Sequence, residues 1–237
     1  DINYSLGWSM GKEKLKNNKI DKIKGSFYVD LDDDLNNEWP SIEIEGMTLE
    51  LSKFMCKLGE DIIDGCDKYL DNNIDNFKRF TLTNNLKKHK GRLLHYYENK
   101  DKENQNVDNG CSWHLDHGGL TILTKCIYLN DVYDKVTEKK DDGLYIIDKN
   151  GKQHNIVIPD NSILIQIGEI LQVLSGGYLK ATPHCVKISN RTSITRETFP
   201  IFIDCDNEYN IERKDWYLDD YDINKGIETI EGIIPLK

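Results

Sequence analysis

The stretch CSWHLDHGGL at residues 111–120 contains the residue types with the clearest chemical potential, because His114 and Asp116 lie two positions apart. On a β-strand or at its end, residues i and i+2 point to the same side, so the imidazole and the carboxylate could bind one metal ion together. Such a pair also occurs by chance in a polar chain. A metal site therefore requires a third ligand elsewhere in the sequence.

Three later histidines are candidates for that third ligand. His117 has the wrong parity to share a face with His114, and His154 follows an Asn-Gly turn, where an exposed polar residue is expected. We therefore expect both to be structural or surface residues. His184 lies 68 residues after Asp116 (184 − 116 = 68), and this separation favours ligands on different strands over a local accident.

The segment HCVKISNRTSI, which begins at His184, reads as two short strands around a tight turn at Ser189–Asn190. Directly opposed residues share a face, so this hairpin would project His184, Arg191 and Ser193 the same way. Arg191 would then sit about 13 Å along the strand from His184. That gap suits a small dicarboxylate, which the arginine would bind at its far end with a further hydroxyl from Ser193.

Two histidines and one carboxylate leave positions open on an octahedral metal, as in the non-haem Fe(II) oxygenases. The same three ligands also form hydrolytic zinc sites, so the residue types alone leave both metals open. A hydrolytic zinc enzyme does not need a carboxylate grip such as Arg191 and Ser193. The predicted grip therefore favours iron.

The surrounding pattern predicts a helical layer on a β core in a single domain. Before Arg92 the periodicity is helical, with a weaker second stretch around Ile74–Leu82, and Trp39–Pro40 marks a boundary upstream of the main helix. From Arg92 onward, short β-branched and aromatic runs separated by turns indicate a sandwich or barrel. We divide the chain 1–237 into an N-terminal, largely helical portion (1–90), a β core (91–205) and a C-terminal tail (206–237). The apolar face of the main helix comprises Leu51, Phe54, Met55, Leu58, Ile62, Cys66 and Leu70.

Two local features of the β core carry specific expectations. Asn150-Gly151 is a strong hairpin signal between two of the strand-like runs. The segment from Tyr133 to Asp142 is charged and without pattern, so we expect a solvated loop there.

The composition excludes some partners. The 237-residue chain has a formal net charge of -10, which argues against nucleic acid or an anionic membrane surface as partner. No apolar run approaches the roughly 20 residues of a membrane span. Six cysteines without a CxxC spacing are typical of reduced thiols in a cytoplasmic protein. The first residue is Asp rather than Met, so we expect the natural N-terminus upstream, and the oligomeric state stays open.

Several blocks together resemble the Fe(II)/2-oxoglutarate-dependent dioxygenases, in particular the isopenicillin N synthase-like branch. These blocks are WHLDHGGLTIL, GLYIIDKNGKQHNIVIP, SILIQIGEILQVLSGGYLKATPHCV and RTSI, with weaker N-terminal similarity that includes RLLHYY. The resemblance implies a mainly β fold with flanking helices, in which a double-stranded β-helix, or jelly-roll, holds iron at one open end. It assigns Arg191 and Ser193 to the far carboxylate of 2-oxoglutarate and Tyr97 to a position that often donates a hydroxyl to this co-substrate. It assigns the metal ligands as His114, Asp116 and His184, with no catalytic residue beyond the metal centre.

The resemblance implies that Fe(II), O₂ and 2-oxoglutarate act together to hydroxylate or desaturate a small-molecule substrate, with release of succinate and CO₂. Some positions depart from the usual pattern: Cys185 replaces a frequent Arg, Glu169 replaces a frequent Asp, and the turn between His184 and Arg191 is short by a few residues. Two alternatives stay open. One is an Fe(II) oxidase of isopenicillin N synthase type, which uses no 2-oxoglutarate; the other is an inactive jelly-roll that serves as a binding protein.

Overall fold

The computed structural model describes residues 6–12, 20, 23–33, 36–73, 82, 86–98, 110–137, 141–175, 177–188 and 193–205. Several sequence predictions fall largely outside these residues: the weaker helix before Leu82, the position of Arg191, and the C-terminal tail from 206 to 237.

Most of the described elements are short strands, and only two of them are helices. In chain order they are β1 (Gly7–Met10), β2 (Lys24–Asp30), α1 (Ile42–Asn73), β3 (Leu86–Tyr96), β4 (Cys111–His114), β5 (Leu120–Thr124), β6 (Ile127–Asn130), β7 (Lys135–Val136), β8 (Gly143–Ile147), β9 (Gln153–Ile156), β10 (Ile163–Ile167), α2 (Glu169–Leu174), β11 (His184–Lys187), β12 (Ile194–Thr198) and β13 (Pro200–Cys205).

The strands form two antiparallel sheets. The large sheet has the order β10-β5-β13-β3-β12-β6-β7, with β2 joined to β3 and β1 joined to β2, and the small sheet has the order β4-β11-β8-β9. One sheet closed over another buries both inner faces in a common interior. The predicted fold, mainly β with a jelly-roll core and an N-terminal helix, is confirmed.

Helix α1 begins directly after the predicted Trp39–Pro40 boundary. The Ser41 hydroxyl accepts the backbone N–H of Ile44 at 3.3 Å and so satisfies one of the free donors of the first turn. Although α1 extends over 32 residues, none of the described helices has a segment apolar enough to cross a membrane.

The face of α1 that packs on the large sheet differs from the predicted face. Met55 and Leu70 are buried as expected, whereas Leu51, Phe54 and Ile62 are exposed. The helix meets the sheet along a line of smaller residues. A Cβ on one of these residues, Gly59, would lie 2.4 Å from the side chains of Ile122 and Ile203 of the large sheet. A small contact residue allows close packing of the helix backbone on the sheet. The residues along this line are Thr48, Ser52 and Gly59.

Strand β3 organises the part of the large sheet that matters for the site. It pairs with β2 on one side and with β12 and β13 on the other. Tyr96 lies opposite both Lys24 and Arg196, and Arg196 lies opposite Tyr128 of β6. Opposed residues project from the same face, so these four side chains form one row across the sheet, called here the transverse row.

The predicted hairpin at Asn150-Gly151 is confirmed, because β8 and β9 pair across it. Gly151 has a φ of 78°, a left-handed conformation that glycine adopts without strain. The charged segment from Tyr133 to Asp142 is less irregular than predicted. Within its described residues, the two-residue strand β7 pairs with β6.

Strands β11 and β12 do not form the predicted hairpin, and that prediction is wrong. β11 pairs with β4 and β8 in the small sheet, whereas β12 pairs with β3 and β6 in the large sheet. In a jelly-roll the chain passes from one sheet to the other between consecutive strands. The local residue pattern does not show whether two consecutive strands pair with each other or belong to different sheets. Two adjacent strand-like runs therefore look like a hairpin in the sequence.

Candidate metal centre

The small sheet brings together the three predicted ligand residues. His114 ends β4 and His184 begins β11; the two residues are directly paired, and their ring centres are 4.2 Å apart. Asp116 Oδ1 lies 3.4 Å from His114 Nε2 and 3.5 Å from His184 Nε2. One possible ligand atom of each residue lies within 4.8 Å of the others. The predicted convergence of these three side chains is confirmed.

The other ring nitrogen of each histidine fixes which nitrogen faces the cluster. His114 Nδ1 donates to the carbonyl of Ser112 at 2.8 Å, and His184 Nδ1 donates to the carbonyl of Thr182 at 3.0 Å. Because a carbonyl can only accept, each neutral ring keeps its proton on Nδ1 and presents the lone pair of Nε2 to the cluster. Metal-binding histidines are oriented in this way by backbone carbonyls.

The carboxylate of Asp116 is oriented by two polar neighbours from the large sheet. Its Oδ2 accepts the hydroxyl of Thr121 at 2.6 Å and the amide of Gln166 at 3.3 Å. Oδ1 is therefore left to face the two imidazoles. The set of two imidazole nitrogens and one carboxylate oxygen, each held by a further hydrogen bond, fits a divalent transition metal such as iron or zinc.

The charges of the cluster complement each other strongly. Burial alone would raise the pKa of Asp116, but hydrogen bonds with His114 and His184 hold it well below its usual range. Burial alone would lower the pKa of His114, but hydrogen bonds to Asp116 and Cys111 raise it to about 10. A protonated imidazole therefore balances the carboxylate when no ion is bound. A bound metal ion would take the place of that proton.

The loop that carries Asp116 is held by backbone contacts at the start of α2. The N–H of Glu169 donates to the carbonyl of Asp116 at 2.8 Å, and the N–H of Gly168 donates to the carbonyl of Gly119 at 2.9 Å. A Cβ on Gly168 would lie 2.0 Å from the carbonyl oxygen of Gly118. Only glycine therefore permits this close approach.

The other two histidines considered as ligands lie elsewhere, as predicted. The side chain of His117 is 92% exposed and contacts Glu169. His154 Nε2 lies 2.8 Å from Asp148 Oδ2 on the β8–β9 hairpin. Within the described part of the chain, neither histidine joins the three-residue cluster.

A cavity between the two sheets opens beside the cluster, and its lining is basic although the chain as a whole is acidic. Among the described residues that line it, Asp116 is the one carboxylate. The lining cations are Lys24, Arg92, Lys125 and Arg196. Lys125 forms an ion pair with Asp160 at 2.6 Å, so its charge is balanced outside the cavity.

Arg196 is the most buried of these cations, with 6% of its surface exposed. It lies in the transverse row, with Cζ 5.1 Å from the centre of the Tyr96 ring, and it also contacts the hydroxyl of Tyr128. Its Nε and Nη1 have no hydrogen-bond partner among the described residues. Buried guanidinium donors without an acceptor are costly, and a carboxylate can accept two of them in parallel.

Thr198 lies two residues after Arg196 on β12 and lines the same cavity. Residues i and i+2 of a strand point to the same face, so the Thr198 hydroxyl lies on the cavity side together with the guanidinium. Arg196 and Thr198 thus offer the combination of cation and hydroxyl that the sequence analysis sought at Arg191 and Ser193.

The structure places Ser193 and Tyr97 away from the described cavity lining. Ser193 is exposed, has a φ of 62°, and donates its backbone N–H to Glu98. Tyr97 follows β3, and its ring packs edge-on against His95 at 4.2 Å. The neighbouring Tyr96 is buried and lines the cavity instead. The hairpin that supported Arg191 and Ser193 does not form, and Arg191 lies outside the described residues.

The sequence contained a signal for Arg196 and Thr198. The turn between His184 and Arg191 is short for the resembled family, whereas Arg196 lies five residues further along and begins a second Arg-x-(Ser/Thr) pattern, Arg196-Glu197-Thr198. The apolar strand TFPIFI follows directly. The short turn was the reason to look further along the chain for the arginine.

The comparisons with known proteins agree with this geometry. Residues 88–203 match the profile of the 2OG-Fe(II) oxygenase superfamily. The isopenicillin N synthase-like branch, which the sequence resembles, is part of the same superfamily.

Three similar proteins illustrate the match. A Dictyostelium discoideum protein named "Probable iron/ascorbate oxidoreductase" is 34% identical over 131 residues, which is 55% of this chain and 29% of that protein. Dioxygenase for auxin oxidation 1 from Arabidopsis thaliana, solved with 2-oxoglutarate, is 15% identical with a TM-score of 0.64 and covers 93% of this chain and 76% of its own. A full-length Neurospora crassa protein, solved in complex with alpha-KG, is 19% identical with a TM-score of 0.63 and covers 91% of this chain and 69% of its own. At these identities the two solved structures show a shared fold. The chain spans less than a third of the Dictyostelium protein.

Proposed function

We propose that this protein is an Fe(II)- and 2-oxoglutarate-dependent oxygenase that hydroxylates or desaturates a small molecule. The observation that carries the proposal is that one cavity is lined both by the cluster of His114, Asp116 and His184 and by the buried donors of Arg196. A metal cluster alone also fits hydrolytic zinc. An unsatisfied arginine in the same cavity provides a place for the co-substrate that iron oxygenases require.

Each residue of the cluster has a defined part in this proposal. His114 and His184 would hold the metal through Nε2, and Asp116 would hold it through Oδ1. Three protein ligands leave positions on the metal open to the co-substrate and to O₂. When bound, Fe(II) supplies the activation of O₂ that oxidises the substrate, while 2-oxoglutarate is converted to succinate and CO₂.

The part of Arg196 and Thr198 is to hold the distal carboxylate of 2-oxoglutarate. The guanidinium is fixed between Tyr96 and Tyr128, so a bound carboxylate meets donors that are already oriented. This assignment takes the place of Arg191 and Ser193 in the sequence prediction. Because Tyr97 packs on His95, Tyr96 is the better candidate for a tyrosine that contacts the co-substrate.

The direct test is incubation of the purified protein with Fe(II), ascorbate and 2-oxoglutarate under air, with succinate and bound iron both measured. We expect one iron per chain and succinate release that needs iron, even without a primary substrate. His184→Ala should abolish both. His154→Ala is the matched control, because it removes an imidazole from the β8–β9 hairpin and should change neither.

The outcomes separate the alternatives. Stoichiometric iron without succinate would indicate an oxidase of isopenicillin N synthase type that uses no 2-oxoglutarate. Absence of iron binding in the wild-type protein, with the fold intact, would indicate a jelly-roll binding protein without turnover.

A further inference from the structure

Lys24 and Arg92 line the cavity, although the proposed iron and 2-oxoglutarate chemistry gives neither of them a part. In that chemistry Asp116 binds the ion and Arg196 binds the co-substrate. Lys24 and Arg92 are found in a chain of net charge -10, so their presence does not follow from overall composition.

Lys24 and Arg92 lie on the β2–β3 side of the transverse row. Lys24 is opposite Tyr96, which in turn is opposite Arg196, so two strand spacings of about 4.8 Å place Lys24 about 10 Å from Arg196 at the backbone. One small carboxylate held by Arg196 therefore does not also occupy Lys24. The two cation positions are separate.

The side chain of Arg92 is held in a fixed orientation on the same face. Its Nε and Nη2 donate to the hydroxyl of Ser26 at 2.9 and 2.8 Å, and its Cζ lies 4.8 Å from the centre of the Tyr28 ring. Ser26 is two residues from Lys24 on β2, so the guanidinium is drawn along the strand toward the lysine. Lys24 itself is only 9% exposed.

The charges of both residues reach the same part of the cavity wall. Burial raises the pKa of Tyr96, whereas the positive charges of Arg196, Lys24 and Arg92 act in the opposite direction. In the transverse row, Tyr96 of β3 lies between Lys24 of β2 and Arg196 of β12. Along the row, Tyr96 therefore separates the proposed co-substrate position from the second cation position.

The remainder of the lining is largely apolar and comes from both sheets. A ligand that fits a cavity of this kind has an apolar body and one charged end. The apolar residues of the lining include Leu94, Leu123, Leu144, Ile156, Val186 and Phe202.

We propose that the primary substrate is a small carboxylic acid with an apolar body, and that Lys24 and Arg92 bind its carboxylate. This inference rests on the proposed function, because it assigns Arg196 to 2-oxoglutarate and the second pair of cations to the substrate. The carboxylate fixes one end of the substrate on β2 and β3. The apolar body then extends across the cavity toward the cluster of His114, Asp116 and His184.

The test compares carboxylates with their uncharged amides. Phenylacetate and phenylacetamide, and octanoate and octanamide, are titrated by calorimetry into the protein loaded with Fe(II) and 2-oxoglutarate without O₂. We expect each carboxylate to bind at least about tenfold more tightly than its amide, as is typical of a charged hydrogen bond. Lys24→Met and Arg92→Met should each reduce this preference to below about threefold and leave the affinity for the amides unchanged.

Two further variants make the result specific. Lys24→Arg keeps the charge and should restore most of the preference. Lys87→Met is the matched control: Lys87 is exposed on β3 with the opposite parity to Arg92, and its loss should leave the preference intact. Thermal unfolding of each variant checks that the fold is retained.

The outcomes also distinguish this inference from the function on which it rests. If the wild-type protein releases succinate but binds both members of every pair equally, or binds neither, the inference about the substrate is overturned and the oxygenase function stands. If Lys24→Met weakens 2-oxoglutarate instead of the carboxylate probes, the two cation positions have been assigned the wrong way round, and the inference is again overturned. Absence of iron-dependent succinate release overturns the proposed function itself.

Discussion

Individual side chains in this cavity differ in which of their hydrogen-bonding atoms have a partner within the protein. His114 and His184 use Nδ1 on backbone carbonyls and direct Nε2 toward Asp116, whereas Arg196 has two nitrogen atoms without an acceptor in the described structure. Buried donors without an acceptor are unfavourable in a folded interior unless a ligand completes them. The hydrogen-bonding state of single side chains therefore indicates the positions at which a ligand can bind.

A prediction at this scale compares two arginines. Arg196→Met should raise the KM for 2-oxoglutarate by about 10- to 100-fold, because it removes the charged donors for the distal carboxylate. Arg191→Met should change that KM by less than about threefold. Steady-state succinate release at varied 2-oxoglutarate concentration measures both. The reverse ranking of the two variants would restore Arg191 to the role predicted from the sequence.

At the scale of elements, the site depends on how closely α2 approaches the loop after β4. The backbone of Gly168 and Glu169 holds the loop residues on both sides of the turn, and Gly168 has no room for a side chain. The position of the Asp116 carboxylate therefore depends on a backbone contact that involves no charged group.

The corresponding prediction concerns a single methyl group. Gly168→Ala should force α2 away from the loop, because the added Cβ would lie 2.0 Å from the carbonyl oxygen of Gly118. We expect iron affinity to fall about tenfold or more, as is typical of changes in the groups that orient metal ligands, with a lower melting temperature. Gly65→Ala on α1 is the control: its Cβ meets nothing within 4 Å, and it should be neutral or stabilising by up to about 1 kcal/mol. Calorimetric iron binding and thermal unfolding give both results, and unchanged iron affinity in Gly168→Ala would refute the positioning role of this contact.

Sequence and structure differ mainly where two elements must be placed relative to each other. His114 and Asp116 were predictable because strand parity is local, and α1 was predictable because helical periodicity is local. Arg196 was missed because its place depends on the chain crossing from the small sheet to the large one after β11. The apolar face of α1 was misplaced for a related reason: small residues such as Gly59 allow closer packing than a hydrophobic pattern indicates.

At the scale of the whole molecule, the six cysteines are free thiols, and some contribute to stability in a pH-dependent way. Burial, with the nearby charges of Asp32 and Glu60, raises the pKa of Cys56 to about 12, and burial with Asp204 raises that of Cys205 to about 11. The neutral thiol is thus favoured in the folded chain. Because these values are raised, the stabilisation is fully present below the ordinary thiol pKa near 9 and is lost as the pH rises toward 11 to 12.

We therefore expect the free energy of unfolding to decrease between about pH 9 and about pH 11, and to decrease less in the double variant Cys56→Ala/Cys205→Ala. Urea unfolding at a series of pH values across this range measures the difference between the two slopes. Comparison of slopes removes the contribution of other alkaline titrations that both proteins share. Parallel slopes would show that these thiols titrate alike in the folded and unfolded chains.

The two sheets contribute different residues to the cavity, and this separation affects how substrate selectivity can be changed. Both histidines belong to the small sheet, whereas Lys24 and Ser26 belong to β2, whose described partners are β1 and β3. A gene library that randomises only the inward positions of this seven-residue strand would leave the reactive centre intact in every clone. Substrate selectivity could then change while the metal centre stays the same. β2 is therefore the segment in which to search for variants with altered substrate selectivity.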